Sequence, residues 1–275
     1  MSKTNIGPLT IFKGSGKKGD NIMQMLSTGY PSSKIHHITE FTNGDLKPMG
    51  SVAIWGILRG AHKIIDWSKT HKKNFVYMDN YYFEYKESMY RFCINSPQIK
   101  SIKNTDPKRF KELNIEIEPW VTNKRHVVVC PPTDIMMKYY KQEDWLSKTL
   151  SKLIEYTDRP IKIRQKPNQK IVTEKKSGYF PVSNKVLYEQ SSTLKEDLEN
   201  AHAVVTFNSN VAIWALTKGI PAFTSKYSSG CLLGNTDLRN IETPILKDRR
   251  PLFYQLANSQ FTKKELSIGL PWKYI

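Results

Sequence analysis

AHAVVTFNSNVAIWALTKGIPAFTS, residues 201–225, is the stretch whose reading decides the fold. Ala203–Phe207 is a short apolar run with the β-branched content of a buried parallel strand. The polar turn Asn208, Ser209, Asn210 follows, then a helical segment, Val211–Lys218, closed by Gly219 as a C-cap. Ile220–Thr224 reads as the next strand, with Pro221 near its entrance, where a missing N–H costs least. Such a βαβ order turns backbone N–H groups and the positive end of a helix dipole outward at the C-terminal edge of a sheet, where anions bind. The same block is equally an ordinary βαβ unit capped by Ser209 or Asn210, and these residues alone leave both readings open.

Working outward, the chain of 275 residues has room for two α/β domains, and 39% hydrophobic content supports a packed core rather than disorder. No apolar run approaches the ~18 residues that span a bilayer, and the N-terminus MSKTNIGPLTIF lacks a secretory pattern. Cys93, Cys130 and Cys231 are widely spaced, without metal-ligand spacing, which fits thiols in a reducing, cytoplasmic setting. Lys and Arg number 42 against 25 acids, a formal +17, which speaks to polyanionic partners. The excess recurs at 63–73, at 100–111 and over 151–186, where nine Lys/Arg face three acids. A Lys-rich solubility surface accounts for the same numbers.

In the first half, Leu9–Phe12 reads as a strand entering the glycine turn Gly14, Ser15, Gly16, Lys17, Lys18, Gly19. A helix is expected from about Asp20, its candidate N-cap, to Gly29. The turn lacks the Ser or Thr that follows Gly-Lys in a nucleoside-triphosphate loop, which excludes ATP or GTP hydrolysis. Its N–H groups and Lys17 remain candidates for a phosphate or sugar contact. Val52–Leu58 repeats the Val-Ala-Ile-Trp of residues 211–214; context makes the first copy a strand and the second a helix. Phe75–Met78 is a strand that delivers Asp79 to its C-terminal end, where α/β proteins bind ligands. Met89–Ile94 is a further strand carrying Arg91. The polar stretch 97–123 leads to a boundary, so the expected domains are 1–123 and 124–275. In the second, His126–Cys130 and Pro160–Arg164 read as strands, and Glu143–Tyr156 and Leu194–Asn200 as helices. The terminal helices, Phe253–Ala257 and Lys263–Leu270, are expected to pack back on the first domain.

HVVVCPPTD (126–134), TDRPIKIRQKP (157–167), DLENAHAVVTFNSNVAIWALTKGIPAF (197–223) and IETPILKDRR (241–250) resemble, in order, the C-terminal half of GT-B glycosyltransferases. The nearest likeness is to the capsule-polysaccharide transferase type and to phage glycosyltransferases of modified DNA; VYMDNYYFEY (76–85) and YRFCINSPQ (90–98) resemble paired motifs of the latter. The resemblance implies an α/β fold of two Rossmann-like domains facing across a cleft. It implies a nucleotide-sugar co-substrate, first of all a UDP-sugar, with its diphosphate at Asn208, Ser209 and Asn210. Arg164 and Lys166 would offset leaving-group charge, and Glu242 would bind ribose. Asp79 is expected as the base that deprotonates the acceptor, with Gly14, Gly16, Lys17, Tyr82 and Arg91 as acceptor or phosphate contacts. No Asp-x-Asp occurs, so no metal is expected. The basic charge makes DNA with a hydroxymethylated pyrimidine the leading acceptor. A capsule or lipopolysaccharide acceptor is the alternative, and a non-catalytic nucleic-acid-binding protein the second.

Overall fold

The computed structural model describes residues 6–165, 183–188 and 192–274. The chain divides into two compact units, residues 1–113 with 253–275, and residues 114–252.

The first unit carries β1 (Leu9–Lys13), α1 (Lys17–Thr28), β2 (Lys34–His37), α2 (Ile38–Thr42), β3 (Ser51–Trp55) and α3 (Ala61–Thr70), then β4 (Phe75–Asn80), β5 (Met89–Ile94) and α4 (Lys108–Glu112). The second carries β6 (His126–Cys130), α5 (Asp134–Tyr140), α6 (Trp145–Tyr156), β7 (Ile161–Ile163), β8 (Val186–Tyr188), α7 (Leu194–Glu199), β9 (Ala201–Thr206), α8 (Val211–Thr217) and β10 (Ala222–Thr224). After α9 (Arg250–Ala257), β11 (Gln260–Thr262) and α10 (Lys263–Ser267) complete the first unit.

In the second unit the sheet is wholly parallel, in the order β10-β9-β6-β7-β8. The chain runs outward from β6 through β7 and β8, then crosses back to lay β9 on the other side of β6. That reversal puts a topological switch point between the C-terminal ends of β6 and β9. Every residue of β6 and of β9 is buried, as a parallel sheet covered on both faces requires. Val127 and Val129 pack with Leu150 and Leu153 of α6, while Val128 and Cys130 face the other way, toward Leu198, Ala215 and Ile220. Each buried Val, Leu or Ile side chain here contributes about 1.5–3 kcal/mol before entropy is counted.

The sheet of the first unit has the order β11-β5-β4-β3-β1-β2. Strands β1 to β4 are parallel; β5 runs antiparallel to β4, and β11 antiparallel to β5. Ile22, Met23 and Leu26 of α1 cover Leu9 and Ile11 of β1. A Cβ on Gly19 would lie 2.6 Å from Trp55 Cδ1, so only glycine lets α1 close on the end of β3.

Three sequence expectations are corrected here. Helix α1 starts at Lys17, so Asp20 is not its N-cap; its carboxylate instead reaches back to the turn before the helix. Strands β2, β8 and β11 stand where no strand is expected from the sequence. Segment 114–123 belongs with the second unit, because Glu118 N–H donates to Thr217 O at 2.9 Å and Val121 N–H to Gly219 O at 2.8 Å. Arg249 completes this contact by donating to Glu118 O at 2.6 Å and lying 4.0 Å over the Trp120 ring.

Gly219 has φ +72°, and a Cβ there would overlap the carbonyl oxygen of Pro119. Gly219→Ala is therefore expected to cost about 2–4 kcal/mol, through backbone strain and loss of the 118–121 contact. Urea denaturation followed by circular dichroism checks it; a loss below ~0.5 kcal/mol would mean the segment does not need this turn.

Candidate functional site

At the strand-end edge of the second unit, β9 runs out at Thr206, whose hydroxyl donates to Cys130 O at 2.7 Å and ties the two switch-point strands together. Asn208, Ser209 and Asn210 then turn the chain into α8. Asn210 is the N-cap, without a side-chain cap bond, and Ser209 before it steadies the turn: its Oγ accepts from Val211 N–H at 3.3 Å and its carbonyl from Ala212 N–H at 3.2 Å. On the facing strand, Pro131 and Pro132 lead to Thr133, whose side chain accepts from Met136 N–H and caps α5. Burial pushes the Cys130 thiol up to about 12, so it is an inert packing group.

One strand further across, Arg164 follows β7 and its N–H donates to Val129 O at 2.8 Å. Its guanidinium is held by Asp197 Oδ2 at 2.8 Å, by Ser192 Oγ at 3.3 Å and by the Ser192 carbonyl. Asp197 is fully buried, and Lys162 Nζ stands 3.6 Å from its other oxygen. Two cations face one carboxylate, which leaves a positive charge at this end of the sheet. Gln165 Oε1 beyond β7 and Thr224 Oγ1 at the end of β10 are buried, with no partner among the described residues. Orphaned polar atoms of this kind call for water or a ligand. Lys166 lies outside the described residues.

Glu242 does not join this group. It accepts from the Thr157 hydroxyl and makes a bidentate pair with Arg159, at 3.1 and 2.9 Å to Oε2, and Arg159 in turn donates to Lys124 O. These partners precede β7 and β6, so Glu242 stands at the N-terminal edge of the sheet. A six-residue strand is about 20 Å long, which separates it from the 208–210 turn. The ribose role is corrected on that ground. An open cavity of about 510 Å³ lined by Arg125, Tyr156, Asp158 and Arg159 also lies at this far edge.

The first unit has its own strand-end edge. Gly14 and Gly16 adopt φ +104° and +97° at the end of β1. The amides of Gly14 and Ser15 do not wait for a phosphate: Asp20 Oδ1 accepts both, at 2.7 and 3.1 Å. The expectation that these amides cradle an external anion is corrected accordingly. Lys17 opens α1 with an exposed side chain, and Lys18 Nζ donates to Asn80 Oδ1 at 2.7 Å. Two residues not read from the sequence close over the turn. Arg59, from the loop after β3, donates Nη1–H to Ser15 O at 2.6 Å, and His37, at the end of β2, brings its Nε2 against Gly14. The paired His36-His37 was the available signal, but no spacing linked it to the glycines.

Asp79 stands at the end of β4 as expected, but in an unexpected state. Its Oδ2 accepts from Arg91 and from the Tyr77 hydroxyl, both at 2.8 Å, and its Oδ1 from Asn80 N–H at 2.8 Å. Burial alone would raise its pKa; the Arg91 charge and these three donors outweigh burial and lower it. A general base works best with a pKa near the working pH, so this carboxylate is poorly suited to take a proton. Arg91 is itself buried between the Tyr77 and Tyr82 rings, at 5.4 and 5.6 Å, and is not a phosphate contact. Tyr82 is completely buried, its backbone N–H donating to Gln260 Oε1 at 2.9 Å, so it cannot stack on an acceptor. Among the described residues, no group of three His, Cys, Asp or Glu is arranged to hold a metal, and no helix is long and apolar enough to cross a membrane.

No family model and no curated protein matches the sequence. Solved structures do match in fold. The beta Kdo 2,7 transferase of Thermosulfurimonas dismutans KpsC is similar with a TM-score of 0.53 and 14% identity, over 96% of this chain and 99% of that one. The beta Kdo 2,4 transferase of the same protein is similar with a TM-score of 0.52 and 12% identity, over 91% and 90%. The fold class is therefore α/β with two Rossmann-like units, the GT-B type.

Because the folded pKa of Asp79 lies below the free value of 3.8, its pairing stabilises the fold above about pH 4, and that stability is lost as pH falls through the lower folded value. Asp79→Asn is expected to cost about 2 kcal/mol at neutral pH by leaving the Arg91 charge uncompensated. The gap to the wild type should narrow below about pH 4 in denaturant titrations; a gap unchanged across that range would show that the charge pair stabilises nothing.

Proposed function

We propose that this chain is a glycosyltransferase that takes a sugar from a nucleotide-sugar donor and passes it to a saccharide hydroxyl, of the kind that builds capsule or lipopolysaccharide. The observation that carries this reading is a fold shared, across both units, with two enzymes named as Kdo transferases. The donor site is the strand-end edge of the second unit. There the turn Asn208–Asn210 meets the positive charge left by Arg164 and Lys162 over Asp197. Lys166, next in sequence, is proposed to add to that charge. A departing nucleotide gains negative charge in the transition state, and cations fixed nearby before the reaction lower its energy most.

The acceptor belongs to the first unit. Asp79 is not the proposed base, since its proton affinity is lowered. An acceptor in DNA has in its favour the +17 charge and the likeness of 76–85 and 90–98, while both fold neighbours are named as Kdo transferases, which favours a saccharide.

The test offers the full chain labelled nucleotide sugars on uridine, guanosine and cytidine carriers, with oligosaccharide, lipid-linked saccharide or hydroxymethylated DNA as acceptor. Label is expected on saccharide. Label on DNA alone would replace the acceptor assignment, and neither transfer nor donor hydrolysis with any carrier would sink the transferase reading. Ser209→Asp keeps an acceptor for Val211 N–H but sets a negative charge beside the proposed diphosphate. It is expected to weaken binding of the productive nucleotide at least ~10-fold in calorimetry with little change in stability. Unchanged affinity would move the donor away from this turn.

A further inference from the structure

We propose that the first unit carries a receptor for a compact oxyanion, a carboxylate or a phosphate on a saccharide, built from Arg59 and His37 over the Gly14-Ser15-Gly16 turn. Calling that saccharide the acceptor rests on the transferase reading; the oxyanion site itself does not.

The geometry comes from the sheet. Strands β2, β1 and β3 lie side by side and parallel, so His37, Gly14–Gly16 and the loop carrying Arg59 all fall on one strand-end edge. The chain goes one way from β1 to β2 and the other way to β3, which makes the end of β1 the switch point of this unit, where open α/β sheets take their ligands. The glycines are needed for side chains to approach rather than for amides to bind. A Cβ on Gly14 would come within 2.7 Å of His37 Nε2, and one on Gly16 would overlap Arg59 Nη1. The imidazole and the guanidinium therefore meet the same three-residue turn, one at Gly14 and the other at Gly16.

Both groups are held by one end and open at the other. Arg59 is exposed, fixed by Nη1 to Ser15 O, and its remaining donors meet no partner among the described residues. It also keeps φ +54°, a left-handed conformation that a non-glycine residue adopts at a cost and that collects at ligand-binding loops. His37 Nδ1 is engaged by Thr39, through the hydroxyl at 2.7 Å and the backbone N–H at 3.4 Å, which points Nε2 away from α2. Nε2 has no hydrogen-bond partner among the described residues. The nearby acids are already satisfied: Asp20 by the Gly14 and Ser15 amides, and Glu40 by His36 and the His37 amide. Exposed Lys17 adds a further positive charge at the start of α1. A planar guanidinium with free N–H groups beside an imidazole N is a receptor for two oxygens of one anion.

Binding of inorganic phosphate, glucuronic acid, glucose 1-phosphate and glucose to the full chain, without donor, tests this by calorimetry and by NMR of the histidine side chains. The three anions should bind and shift His37, and neutral glucose should do neither; the stronger of the two anionic sugars identifies the group recognised. Arg59→Ala should raise the Kd at least tenfold. Gly16→Ala, which keeps every charge but displaces the guanidinium, should raise it at least threefold. Lys111→Ala removes an exposed charge elsewhere on this unit and should leave the Kd within twofold. Thermal melts confirm that each variant is folded; should Gly16→Ala fail to fold, Arg59→Ala and Arg59→Lys carry the comparison, with lysine restoring less than half of the lost affinity. Equal effects of Lys111→Ala and Arg59→Ala, or no anion binding at millimolar concentration, would overturn the site. Anion binding that follows this pattern in a protein without transfer activity would uphold the site and overturn the transferase reading alone.

Discussion

A parallel strand covered on both faces has water only at its ends. In β6 and β9 every residue is buried, covered by α6 on one side and by α7 and α8 on the other. Backbone N–H and C=O groups are consumed by the ladder, so chemistry has to collect where the strands stop. The order β8-β7-β6-β9-β10 decides which of the two ends: crossing back at β6 separates the loops after β6 and β9 and opens a crevice between them. The same reasoning applies to β1 and β3 in the first unit. Each unit therefore has one edge suited to a ligand, and the positions of Arg164 and Arg59 follow from topology before any chemistry is considered.

Three carboxylates, of which the sequence marks Asp79 as catalytic and Asp20 as a helix cap, organise these edges instead. Asp20 accepts the Gly14 and Ser15 amides, Asp79 holds Arg91, and Asp197 holds Arg164 with Lys162 nearby. Each is an internal anion that orders a cation or a turn. Buried pairs of this kind add little net stability, because desolvation offsets attraction, but they punish the loss of either partner. Their value lies in geometry. Arg164 is left with a fixed direction at the end of β7, and Asp20 shapes the turn on which Arg59 rests. A net charge of +17 thus coexists with edges on which most acids already have donors.

Much of the fold was legible, and for a definite reason. Runs such as His126–Cys130 and Ala203–Phe207 are buried on both faces, so their apolar continuity marks them as parallel strands whatever surrounds them. Val-Ala-Ile-Trp at 52–55 is a strand and at 211–214 a helix, as read from context: the second follows a polar turn and ends at a glycine. Lys34–His37 is not legible because it is an edge strand with no fully buried residue, and Val186–Tyr188 and Gln260–Thr262 because three residues carry no period. The site was less legible. Asp79, Arg91 and Tyr82 stand out in the sequence as base and acceptor contacts, but sequence does not show that a charge is already paired or that a ring is sealed. The ribose role expected of Glu242 comes from the family resemblance, and a matched motif does not tell one end of a sheet from the other.

The glycine turn shows where the limit lies. Gly14, Ser15, Gly16, Lys17 reads as a loop whose amides await a phosphate, since glycine permits positive φ and close approach. Both permissions are used: φ is positive at both glycines, and both are closely approached. What approaches is protein, His37 and Arg59 from above and the Asp20 carboxylate at the amides. A glycine in a sequence states that something comes near the backbone, and not what. The identity of the visitor is set by which strands the topology places next to β1, and those lie 20 or more residues away along the chain, beyond the reach of any local motif.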